Sequence, residues 1–541
     1  MLSLLQSDRQ HGIESYGQIP LIHIIDEDDR ILLNSPDAEW FRILYYFPWK
    51  EYRETGAEYY DALYQFNITG AEKRQEMFIE KEDKAVETKE EAVERLLFSR
   101  TTMQDSKVEE VAIIYKGKVV EHKAPKVNPE TIAPGIVPER LGGKKPKCFF
   151  AMFKSFLGAT LMGFSPEPEV VHSLLWGNPS FIRVCGFAPK VERDEYCYRH
   201  VPGLRKMEQF DQIMRESGLW SKIKLAEVRR NIEEEIIKKE NELVGDTTHY
   251  YAYSGFETVT YKDENGKEQR KSQSKVTKNC RCKDRDNCSH QWELTDDGAG
   301  TIVKSNHKMY WGHKAGVLGL PRQGVPLDVV AAADAATFDG ETLYPHVERL
   351  FENLPEIKPW IDRVLYDSAC DNKDLKEKFQ EDFGIELKAS LNPRRKKDVT
   401  RDLPRAIEKI TPYGVPICTA GYEMEYKGMR YEKEKFIYQS PVNDDKTPVC
   451  LTCNHKTDCC PNSVTGRTIN ISFDLLPHIN PDDPPMAKRF KAIMSRRPSV
   501  ERMIKRLKCD LGDDRLSKRG NASFQAYLDK TMIAFHILLR H

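Results

Sequence analysis

No stretch of this sequence is apolar over a long enough run to suggest a membrane span. The most apolar segment, Cys148 to Phe164, is shorter than the roughly 20 residues a bilayer-crossing helix needs. It also carries Lys154, so it predicts a buried helix. Net charge is missing too. Lys and Arg number 83 against 84 Asp and Glu, a formal charge of −1, so the overall balance argues for no polyanionic partner. The chain opens without the pattern of a secretory leader. Its 13 cysteines are odd in number and unevenly clustered. That argues against a disulfide framework and suits reduced thiols and metal sites in a cytoplasmic protein. At 541 residues, 40% hydrophobic and 31% charged, the expectation is a soluble multi-domain chain.

What is present is local basic charge. Ala487 to Lys508 holds Lys488, Arg489, Lys491, Arg496, Arg497, Arg502, Lys505, Arg506 and Lys508 around a single acid, Glu501. Wound as a helix from Val500, the segment puts Val500, Met503, Ile504 and Leu507 on one apolar stripe. Arg497, Glu501, Lys505 and Lys508 then share a neighbouring face, while Arg496 and Arg506 turn away from Glu501 and are expected to tolerate alanine. Two readings stand side by side. Glu501 is a hard oxygen ligand for Mg²⁺ beside a polyanion held by the cations, or it is a salt-bridge partner of Lys505 on a solvated helix.

Residues 1–125 give no site, since the aromatic segment from Trp40 to Tyr60 is read as core and Glu72 to Arg100 as a charged, helical run. The proline-rich stretch 126–147 reads as a linker. Residues 148–240 read as broken helices ending in a charged helix from Ser221, compatible with but not specific for DNA binding. Strand patterns follow at Glu242 to Gly255, His307 to Gly319 and Val325 to Ala335. Then come a helix over Glu341 to Leu354, a buried strand ending in Asp367, a helix over Asn372 to Phe383, and a strand at Ile385 to Leu391. This is a mixed α/β order. Asp246 falls mid-strand, where an acid is disfavoured without a task. Asp246, Asp367 and Glu501 brought together have the ligand types for two Mg²⁺ (or Mn²⁺) ions and phosphodiester chemistry. The plain alternatives are an edge-strand turn residue for Asp246 and a helix N-cap for Asp367, with Asp371 competing for both of the latter's roles.

Arg497, three residues, Glu501, six residues, Lys508 resembles the signature around the third acid of insertion-sequence transposases of the Asp-Asp-Glu type. GDTTH at Gly245 to His249 resembles the strand of their first acid, and VLYDSACDNKDL that of their second. VVHSLLWGNPSFIRVCGF and LRKMEQFDQIMRESGLW are similar to the helical segment ahead of their core. The resemblance covers roughly residues 148–541, with one departure: the family's tyrosine three residues before the arginine is Met494 here. It implies a multi-domain α/β fold with a ribonuclease-H-like mixed-sheet core. A helical domain (148–240) would precede that core (241–391 and 486–541), and a cysteine-containing insertion (392–485) would interrupt it. It further implies DNA cleavage at element ends and strand transfer to target DNA, with Asp246, Asp367 and Glu501 on the metals. Arg497 and Lys508, with Lys505 on helix geometry alone, would hold phosphates. The expected partners are double-stranded DNA ends and target, with no membrane and a homo-oligomer on DNA. A nuclease of the same fold without strand transfer, and an inactive zinc-containing DNA-binding protein, are the rival expectations.

Two cysteine groups suggest structural Zn²⁺. Cys280, Cys282, Cys288 and His290 lie close together between the first two core strands. In the insertion, Cys450-x-x-Cys453 is followed by Cys459 and Cys460, with Cys418 and His455 as further candidates. The alternative is reduced cysteines in loops. PRRKKDVTR, opening the insertion at Pro393, is a basic loop for phosphate contacts or a plain solvated charge run.

Overall fold

The structure is a computed structural model. The described residues are 27–82, 114–115, 118–119, 126–135, 138, 147–187, 190–192, 195–197, 201–252, 308–392 and 397–541, with 256–262, 266, 268–274, 276–278, 282–284, 287–289, 292–294, 296 and 298–305. The chain is mixed α/β and divides into two compact units. One comprises Met1–Ile236, Tyr250–His313 and Arg506–His541, and the other Ile237–His249 and Lys314–Lys505. Among the described residues no helix is long and apolar enough to cross a membrane.

The second unit carries a sheet whose strands follow the patterns read from sequence. These are β1 (Glu242–Tyr251), β2 (Lys308–Leu320), β3 (Val325–Ala331), β4 (Arg363–Tyr366) and β5 (Glu386–Ala389). Side by side their order is β3-β2-β1-β4-β5, and a sixth strand of the same sheet, Gly300–Ser305, which the sequence reading did not include, pairs antiparallel with the start of β2. The β2–β3 pair is antiparallel, while β1–β4 and β4–β5 are parallel. Helix α1 (Asp339–Asn353) connects β3 to β4, and α2 (Lys373–Phe383) connects β4 to β5. A parallel neighbour requires such a crossover. Leu243 and Val244 on β1, Leu318 on β2, Val364 and Leu365 on β4 are buried. This near-continuous burial is what a central strand covered on both faces demands. Helix α1 adds Leu343, Val347 and Leu350 to the core, and α2 adds Phe379. Helix α2 starts on an Asn372 cap and ends at Gly384 in the left-handed region, both as their residue types favour.

After β5 comes the insertion, with strands Ile407–Ile410 and Pro416–Cys418 paired, and a three-stranded sheet of Glu425–Arg430, Lys435–Gln439 and Thr468–Ser472. Its own small core gathers Ile410, Phe436, Tyr438, Ile471 and Leu476. The basic segment then forms α3 (Lys488–Met494) and, after Pro498, α4 (Ser499–Lys505).

In the first unit, helix Phe149–Leu161 is buried at every residue through Thr160, as its apolar run predicts. The aromatic segment is core: Phe47 and Tyr52 pack on Phe153, and Tyr59 on Phe149. The charged helix expected from Ser221 spans Leu219–Glu233, and part of its charge is not solvated. Lys224 pairs with Asp529 at 3.0 Å, and the buried Glu227 carboxylate accepts from the Tyr52 hydroxyl at 2.7 Å and from Arg540. A charge run in sequence is here an internal ion network, satisfied as burial requires.

Candidate active site

Three side chains are positioned by the sheet and the helix beyond it. The β1–β4 register pairs Glu242 with Arg363, Leu243 with Val364 and Val244 with Leu365. Continued by two residues, it sets Asp246 level with Asp367, at the end where β4 stops. Gly245 makes this close approach possible, because a Cβ there would stand 2.8 Å from the Tyr366 ring and 2.9 Å from Leu318. Strand β1 is buried through Gly245 and half-exposed from Asp246 to His249, so the acid sits where the strand first emerges. Asp367 follows the last residue of β4 and caps the turn Ser368–Cys370, accepting from the Ala369 N–H at 2.9 Å. The capping role and the position beside Asp246 therefore coexist.

Glu501 is brought to the sheet by a second glycine. Val500 and Met503 of α4 are fully buried, and α4 packs on β3. A Cβ on Gly319 would lie 2.6 Å from the Met503 sulphur, so that glycine lets the helix seat closely. Arg497, just before α4, ties the acids together. It donates to Asp246 Oδ2 at 2.5 Å and to Glu501 Oε1 at 2.7 Å. Glu501 is thus held by Arg497, while Lys505 is exposed. Among the described residues, no three or more His, Cys, Asp or Glu side chains are grouped as metal ligands. In this arrangement a guanidinium, rather than a shared point, links Asp246 to Glu501.

The electrostatics are those of crowded, partly buried acids. Burial pushes the Asp246 carboxyl up to about 6; Arg497 opposes that rise, while Asp367 and Asp339 add to it. Asp367 is also raised, first by burial and further by Asp339. A carboxyl that burial keeps protonated toward neutrality ionises more readily when a cation stands beside it. Asp339 is a fourth acid at this place that sequence reasoning missed. It accepts from the Thr247 hydroxyl at 3.1 Å and pairs with Lys314 at 2.6 Å. Lys314 sits in an apolar strand, the same signal that marked Asp246.

Other expectations need correction. Arg496 does turn away from Glu501, but its side chain donates at 2.6 Å to Glu242, whose buried carboxylate also takes Arg363 at 3.0 Å. It is therefore not a bystander. The α-helical projection from Glu501 to Lys508 fails at Arg506, because 506–510 winds as a π-helix. Lys508 belongs to the first unit, 5.1 Å from the Tyr250 ring centroid and 3.9 Å from Asp514. Asp371 is committed elsewhere, accepting from Lys376 and from the Asn392 N–H. Met494 is half-buried at the end of α3.

Of the first cysteine group, Cys280 and His290 lie outside the described residues, as do 393–396 of the basic loop. Cys282 and Cys288 are half-buried. In the second group, Cys418, Cys450, Cys453, Cys459 and Cys460 are all half-buried and line one cavity of about 20 Å³ together with His455.

No model of a known protein family matches this chain, and no curated protein matches it.

Proposed function

We propose that this protein is a DNA transposase of the Asp-Asp-Glu type, cutting phosphodiesters at element ends and transferring the freed 3′-hydroxyl to target DNA. The observation that carries the proposal is Arg497 joining Asp246 to Glu501, on a strand whose parallel register, continued two residues past Val244 and Leu365, brings Asp246 level with Asp367. In chain order the strands run 3-2-1-4-5 across the sheet with the third antiparallel to the second. That order supports reading the second unit as a ribonuclease-H-like core.

Asp246, Asp367 and Glu501 would hold Mg²⁺ or Mn²⁺ once drawn together in place of the Arg497 bridge, and the donor types suit such an ion. All three are carboxylates, two of them with pKa values raised by burial, and hard cations take oxygen ligands. Bound there, the ion would supply Lewis-acid polarisation of the phosphodiester and of the attacking oxygen. The chain's own groups do the rest. Arg497 holds the two acids in place until a cation replaces it, and its Nε is buried without a hydrogen-bond partner. That donor fork then suits a phosphate. The exposed Lys488, Arg489, Lys491, Arg502 and Lys505 give α3 and α4 a cationic surface for the DNA backbone. Joining two ends requires more than one copy of the chain on the DNA.

The test uses Mg²⁺ and end-labelled DNA carrying whatever inverted repeats sequencing of the DNA around the reading frame reveals. Cleavage followed by joined products supports the proposal. Cleavage without joining would make the protein a nuclease. Binding without cleavage would make it an inactive relative. Asp246→Asn, Asp367→Asn and Glu501→Gln should each abolish cleavage and leave DNA binding in place.

A further inference from the structure

The insertion contains a long irregular segment. From Ser440 to Arg467 the chain leaves one strand of the three-stranded sheet and returns to the next with only two short helical turns between. Loops of that length without structure of their own are rare in compact domains and need fastening. The nearby core is small, and small cores commonly depend on a staple. The only dense set of fastening groups described along this segment is sulphur. Cys450, Cys453, Cys459 and Cys460 all come from it, and Cys418 reaches the same cavity from the neighbouring strand pair.

The local geometry is that of a thiolate turn. Cys450 and Cys453 sit two residues apart around the turn Val449–Leu451, and the His455 N–H points at the Cys453 sulphur at 3.4 Å. That N–H fixes the direction in which the Cys453 sulphur stands. Arg467 lies 3.6 Å from the Cys459 sulphur and donates to the Cys459 carbonyl. The Cys460 thiol meets the Cys450 and Cys459 thiols. The cavity between them, about 20 Å³, has room for about one water-sized sphere and no more. As they stand, no three of these side chains are drawn together as metal ligands. Rotation about the Cα–Cβ bonds moves the sulphurs without moving the backbone.

We infer that this cavity is a structural Zn²⁺ site closed by four thiolates, with Cys450, Cys453 and Cys460 as fixed ligands and either Cys418 or Cys459 as the fourth. Four sulphur ligands suit tetrahedral zinc and leave no position for chemistry. Binding displaces the thiol protons into solvent, one for each thiol that ligates, with no change of oxidation state. The inference is independent of the transposase reading, because it concerns the stability of the insertion alone.

The experiment is metal analysis of the full chain, purified without chelator, alongside Cys280→Ser/Cys282→Ser, which removes ligands from the other cysteine group. In that background one equivalent of zinc should remain. Cys450→Ser, Cys453→Ser or Cys460→Ser added to it should each remove that equivalent. Only one of Cys418→Ser and Cys459→Ser should do so. Because these variants could fail to fold, the same background protein is stripped and titrated with Co²⁺, expecting one equivalent with thiolate-to-cobalt charge transfer. No zinc and no such band, a disulfide among these cysteines, iron in place of zinc, or zinc retained in both Cys418→Ser and Cys459→Ser would overturn the assignment.

Discussion

Replacing Asp246 by asparagine should make the metal-free protein more stable at pH 8 and leave it unchanged near pH 4. The argument starts from a carboxyl that is 16% exposed and held at about 6, against an ordinary value of 3.8. A raised carboxyl pKa means that ionisation is disfavoured in the folded state. The cost is absent below about pH 4, where the group is protonated in both states, grows between 4 and 6, and is constant above 6. Two pKa units at about 1.4 kcal/mol each give about 3 kcal/mol at pH 8. The attraction of Arg497 is already contained in that net value. Asparagine keeps the shape, removes the charge and leaves Arg497 its bond to Glu501, so up to about 3 kcal/mol should be recovered. For a body of some two hundred residues this is a rise in melting temperature of roughly 6–12 °C. The assay is thermal unfolding of wild type and Asp246→Asn from pH 4.5 to 8 in chelator, repeated with excess Mg²⁺. The ion should stabilise wild type at pH 8 and not the variant. A variant less stable than wild type at pH 8, or a difference that does not change with pH, would refute the electrostatic account of this site.

Four further outcomes follow from the same geometry. Arg497→Ala removes the main influence lowering the Asp246 pKa, so the pH below which Mg²⁺ affinity is lost, about 6 in wild type, should move upward in a calorimetric titration. Arg497→Lys should restore cleavage only in part, since an ammonium lacks the fork that reaches both carboxylates. Arg496→Ala should destabilise the fold by about 1–3 kcal/mol in chemical denaturation while sparing Mg²⁺ binding, because it leaves the buried Glu242 with Arg363 alone. Gly319→Ala should lower cleavage along with stability, since the added methyl meets the Met503 sulphur and displaces α4, and Glu501 with it.

The sheet was legible in sequence because its strands are short apolar runs between turns, and the structure moves their ends by only a few residues. The acids on it were legible because a charge inside such a run is conspicuous. What escaped was pairing at long sequence distance. Lys314 stands out in its apolar strand but Asp339 does not stand out at its helix start, and only the fold sets the two at 2.6 Å. Arg496 looked idle because a helical projection reports neighbours on one helix and is blind to Glu242, 254 positions away. The buried charges on Leu219–Glu233 failed for the same reason: charge predicts exposure only until a partner such as Asp529 is found. The projection to Lys508 failed on local winding, which amino-acid types at 506–510 do not announce.

Arg497 gives the resting protein an ion of its own. A guanidinium keeps its proton at any pH the protein meets, so the space between Asp246 and Glu501 is neutralised before any divalent ion arrives. Metal entry on this account is an exchange of cations rather than the filling of an open seat. Occupancy would then rise at a threshold set by how firmly the arginine is held. DNA would lower that threshold, because a phosphate offers the departing guanidinium another anion. Nucleic acid and metal would thus recruit one another, and free metal in the absence of a DNA end would leave the catalytic acids bridged and idle.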